Sequence, residues 1–140
     1  MTSPKSSIRI SRLLWLGPLT VLASIAGVLL VRIIAVLILR PDPLPMSLGW
    51  TLPIFFTTVL VAGAVIVFAI VARLTKNPIR IYQIIAFIVL LLSFLPDIAF
   101  AQSPMPGANW PNAIALMVMH VVAWAICITM LSRLSAVQAA

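Results

Sequence analysis

The sequence predicts an all-α protein, an integral-membrane four-helix bundle with both termini on the cytoplasmic side, and three observations carry that reading. Of 140 residues, 64% are hydrophobic and 8% are charged, with a mean hydropathy of +1.25. That composition leaves too little polar surface to coat a soluble globule of this size. The apolar residues fall into four runs, each near the roughly 20 residues a helix needs to cross a hydrocarbon core. Lys and Arg gather at alternate ends of those runs, as the positive-inside rule requires.

Residues 1–12 are polar and basic (Lys5, Arg9, Arg12) and are expected to form a cytoplasmic N-terminus. The apolar run that follows reaches Leu39. Ser24 and Ala26 have the small side chains of a signal-peptide cleavage site, but a run of about 27 residues continues well past them, so a retained first span is expected. At about 1.5 Å per residue this run is near 40 Å, longer than a hydrocarbon core of about 30 Å. Gly17-Pro18 is the expected break, because proline suits the first turn of a helix and disrupts its interior. Residues 8–16, with Trp15 near their end, then lie in the membrane interface and residues 18–39 span; the alternative is one tilted continuous helix.

The connection 40–52 holds Pro41, Pro43, Pro45, Gly49 and Trp50, residues that stop one helix and anchor the next at headgroup level. A second span is expected over residues 53–72, closed by a basic turn with Arg73, Lys76, Asn77 and Pro78. The third span covers 80–100, a loop rich in Pro, Gly and Ser follows, and the fourth span covers 111–131, with Arg133 just beyond it. Residues 13–135 thus form one transmembrane domain, and 136–140 a short cytoplasmic tail. Lys5, Arg9, Arg12, Arg73, Lys76, Arg80 and Arg133 fall on one side; the other side has Arg40 beside Asp42. This places both termini and the middle turn in the cytoplasm.

Charged groups inside the apolar runs are Arg32 and Asp97. Both are expected outward of the midplane, Arg32 by about 5 to 9 Å and Asp97 by about 11 Å. An arginine reaches across such an offset, so an Arg32–Asp97 ion pair joining the first and third spans is one reading, with Ser93 on the face of Asp97. Separate snorkelling to the outer headgroups is a second, and a polar pocket a third. His120 falls near the middle of the fourth span, where lipid offers no hydrogen bond. It reads as a neutral histidine bonded across the bundle; a proton or ligand site and a haem ligand are the alternatives. Asp97 is expected about 9 Å outward of it, beyond direct contact unless Pro96 bends the chain. Cys127 reads as a small core residue. Small residues at Thr20, Ala23, Ser24 and Gly27, and at Ala62, Gly63 and Ala69, allow close helix contacts.

The formal net charge of +7 is read against membrane, not nucleic acid, since the basic residues cap apolar runs. The expected partners are the bilayer, anionic headgroups at the cytoplasmic face, and a second copy or another membrane protein. A single cysteine excludes an internal disulfide, and the chain has no glutamate, no phosphate-binding glycine loop and no spacing of metal ligands. No cofactor, metal or catalytic residue is expected.

Three segments carry a family resemblance: Leu74-Thr75-Lys76-Asn77-Pro78-Ile79-Arg80, Leu90-Leu91-Leu92-Ser93-Phe94-Leu95-Pro96-Asp97, and Met119-His120-Val121-Val122-Ala123. In them the chain resembles small bacterial four-span membrane proteins grouped as a domain of unknown function. The resemblance implies a four-span architecture in a bacterial envelope and brings no activity. The function expected is a non-catalytic structural or interaction component of the plasma membrane. A small transporter or proton-linked permease subunit using His120 and Asp97 is the alternative, and a haem- or quinone-binding protein the second.

Overall fold

The computed structural model describes residues 10–133. The basic stretch up to Arg9 and the tail 136–140 lie outside the described residues. Among those described, the chain is helical with no strand, and its four long helices are each long and apolar enough to cross a membrane.

The first helix, α1, runs unbroken over Ile10–Leu39 with Pro18 inside it. The expected break at Gly17-Pro18 is therefore absent. Proline removes one helical hydrogen bond, the one to the Leu14 carbonyl. In apolar surroundings, leaving further backbone groups unpaired costs more than carrying the helix through. Packing supports the same outcome: Leu13 and Leu16 join a core cluster with the other helices, and a Cβ on Gly17 would sit 3.2 Å from Val65. Residues 10–17 thus lengthen the bundle. At about 1.5 Å per residue, the 30 residues of α1 extend about 45 Å.

Arg40 ends α1 in the left-handed region (φ 43°), its N–H bonded to the Val36 carbonyl at 3.0 Å. That is the hydrogen bond of a left-handed helix cap, a position that glycine fills most easily. A 3₁₀ turn, Met46–Leu48, precedes α2 (Thr51–Leu74). Three residues connect α2 to α3 (Pro78–Ala101), which starts on proline, where a missing N–H costs nothing. The fourth helix, α4 (Trp110–Ile128), starts from an Asn109 cap whose Oδ1 accepts from the Asn112 N–H at 2.9 Å, and ends in a π-type turn, Thr129–Arg133.

The short connections make consecutive helices antiparallel, with α1 packed on both α2 and α4, and α3 packed on α4 and, less extensively, on α2. On α1 the buried face is Thr20, Ser24, Val28 and Arg32, each four residues from the next. Gly27 beside it permits the approach of α4: a Cβ there would lie 2.7 Å from Ile126 Cδ1 and 3.0 Å from Val122 Cγ1. Gly63 on α2 faces open space instead, so the small residues expected on both helices differ in use.

Two core clusters mark the two ends. Phe68, Val71, Tyr82 and Leu131 meet near the α2–α3 connection, here called the turn end. Val28, Leu48, Ala115 and Met119 meet near the two longer connections, the loop end.

Candidate functional site

The buried charged side chains, Arg32 and Asp97, lie toward the loop end. His120 Nδ1 and Asp97 Oδ2 share a hydrogen bond at 2.9 Å, joining α4 to α3. The Asp97 side chain is 7% exposed and that of His120 is 30% exposed, so the carboxylate is enclosed while the imidazole reaches an edge of the bundle.

This contact corrects the expected separation of about 9 Å. That expectation set the ends of α3 and α4 level and counted only axial rise. Side chains on a helix lean toward its N-terminus. Since α3 and α4 are antiparallel, Asp97 leans toward the turn end and His120 toward the loop end, and the two converge from both directions. Ser93 takes no part: its hydroxyl donates to the Leu90 carbonyl at 2.6 Å, within its own helix.

Arg32 is occupied elsewhere, and the expected ion pair with Asp97 is not formed. Its Nε donates to the carbonyls of Leu48 (2.9 Å) and Gly49 (3.3 Å), and its guanidinium lies 3.6 Å from the centre of the Trp50 ring. Nor does it snorkel outward, being only 6% exposed. The planar guanidinium suits this use, because it donates in its plane while presenting a face to the indole. Arg32 thereby ties the first loop onto the bundle, and Leu48, fully buried, fills the space over Val28, Ala115 and Met119.

The second loop closes against the first. Gly107 has φ 76°, and a Cβ there would meet the Pro43 carbonyl and the Pro45 ring at 2.9 Å, so only glycine permits this approach. Asn112, buried in the first turn of α4, donates from Nδ2 to the Gly107 carbonyl at 2.8 Å. The two Pro-rich connections therefore form one cap over the loop end. Leu48, Trp50, Gly107 and Asn112 were not among the residues expected at the site. The Asn109-x-x-Asn112 spacing of a capped helix was the readable signal for Asn112.

Below the His120–Asp97 pair, Trp124 meets the Phe87 ring edge-on at 6.3 Å, a second tie between α3 and α4. Cys127 is buried, its sulfur 3.9 Å from the Ser24 hydroxyl. Among the described residues no group of three His, Cys or acidic side chains is placed to hold a metal.

An apolar four-helix bundle with helices of membrane-crossing length, its buried charged groups paired toward one end, is the class these features define. Within that class, residues 7–137 match the family described as a family of unknown function (DUF6069), and the chain belongs to it. The match takes in all four helices, not only the segments from Leu74 onward that carry the resemblance in sequence. No curated protein and no solved structure matches the chain.

Proposed function

We propose that the protein is a multi-pass component of the bacterial plasma membrane, with both termini cytoplasmic, that acts without catalysis through contacts with lipid, a second copy or another membrane protein. One observation carries this reading. Arg32, Asp97 and Asn112 are buried with partners inside the bundle, while all four helices turn large apolar side chains outward. Hydrocarbon is the surrounding that tolerates such an exterior, and inward pairing is how polar groups persist within it.

The experiment is reconstitution of the wild type and His120→Ala in liposomes. This reading expects the variant to change stability or assembly, with proton and solute flux at background for both proteins. Wild-type flux that disappears in the variant overturns it. Accessibility tags at the two termini, expected on the same cytoplasmic face, test the orientation.

A second reading, a proton-linked permease subunit, is favoured by one feature: the partly exposed imidazole of His120 backed by the buried carboxylate of Asp97. A histidine so placed can accept a proton at Nε2 while the carboxylate holds the resulting charge. The flux measurement separates the two readings.

A further inference from the structure

The corner where α2 turns into α3 has a chemistry that the His120–Asp97 pair does not use. Arg73 lies in the last turn of α2, Lys76 in the connection and Arg80 in the first turn of α3, and all three are exposed. Among the described residues none of them has an acidic partner, for the chain's two acids, Asp42 and Asp97, belong to the opposite end of the bundle.

What surrounds these cations sets the ligand. Helical spacing aligns Arg73 with Ile70 and Ile66, three and seven residues before it, and both are half-exposed or more. It aligns Arg80 likewise with Ile84 and Ile88, four and eight residues after it, also half-exposed. Each arginine thus heads an open apolar track, and both tracks leave the same corner toward the middle of the bundle. Leu74, between Arg73 and Lys76 in distance from the turn, is the most exposed leucine of α2. A free anion would use only the cations, and a neutral lipid only the tracks.

We propose that this corner is a binding site for an anionic phospholipid, its phosphate held among Arg73, Lys76 and Arg80 and its acyl chains lying along Ile66–Ile70 and Ile84–Ile88. The geometry is indifferent to which role the His120–Asp97 pair plays, and to which side of the membrane the corner occupies. A basic residue near an anionic surface contributes about 1 kcal/mol, a factor of roughly five, so three confer a preference on the order of a hundredfold before screening by salt.

The test is lipid retention by the full-length protein in neutral detergent, read by native mass spectrometry with dioleoylphosphatidylglycerol or dioleoylphosphatidylcholine added. The wild type is expected to retain phosphatidylglycerol preferentially, and Arg73→Gln/Lys76→Gln/Arg80→Gln to lose that preference. Arg40→Gln, at the other end, keeps it. Equal retention of the two lipids by the wild type, or an undiminished preference in the triple variant, overturns the proposal. Displacement of phosphatidylglycerol by millimolar inorganic phosphate also overturns it, because the site would then recognise an anion without its chains. Should the triple variant fail to fold, the salt dependence of wild-type retention decides: the preference must fall steeply as ionic strength rises, and a flat response counts against the site.

Discussion

At the turn end the bundle is held by shape. Phe68 and Tyr82 meet edge to face at 5.0 Å and pack with Val71 and Leu131. At the loop end Arg32, Asp97 and Asn112 are as buried as their apolar neighbours, and each has a polar partner. Apolar packing dominates at the turn end, whereas the loop end carries the cost of desolvating charged groups, which their partners offset. At the loop end Arg32, Asp97 and Asn112 fix the first loop to α1, α3 to α4, and the second loop to α4.

The contrast makes opposite demands on polar truncations at the two ends. His120→Ala has the largest expected effect, because it leaves the Asp97 carboxylate enclosed without its partner. A loss of about 3 kcal/mol is expected, as for breaking a buried pair. Reversible unfolding in mixed micelles, followed by far-UV circular dichroism, measures it. A loss under about 1 kcal/mol would mean that Asp97 finds water or another donor, and the two ends would then differ less than their burial implies.

Arg32→Lys comes next, with an expected loss of about 1 to 2 kcal/mol, since lysine keeps the charge and loses both the Nε donor and the flat face on Trp50. The same residue tests the corrected pairing. With Arg32 bonded to Leu48 and Gly49 rather than to Asp97, Arg32→Gln and Asp97→Asn should add to within about 0.5 kcal/mol. A larger coupling energy, or rescue by exchanging the two residues, would restore the direct pair.

Much of the helical architecture was readable because it follows from hydropathy. The expected spans 53–72, 80–100 and 111–131 lie within or close to Thr51–Leu74, Pro78–Ala101 and the α4 segment ending at Arg133. Local rules misread Pro18, where the cost of one lost hydrogen bond yields to the packing of Leu13, Leu16 and Gly17. Candidate residues were readable by type, since Arg32, Asp97 and His120 are polar groups in apolar runs. Their partners were not. The Arg32 contact depends on how residues 40–50 fold back, which proline-rich composition does not encode. The Asp97 contact depends on two side chains leaning toward each other across an antiparallel pair, which axial counting omits.

The smallest expected effect sharpens the comparison most, because its sign is opposite. Tyr82 is almost wholly buried at the turn end, its ring set against Phe68, and its hydroxyl has no hydrogen-bond partner among the described residues. An enclosed hydroxyl without a partner carries a desolvation cost that no bond offsets, whereas the ring supplies the packing. Tyr82→Phe removes the first and keeps the second, so a gain of about 0.5 to 1 kcal/mol is expected in the same unfolding measurement. Truncating a polar group should thus stabilise one end and destabilise the other. If Tyr82→Phe instead costs more than about 1 kcal/mol, the hydroxyl is bonded in the membrane-embedded protein, and the turn end is also held by a polar contact.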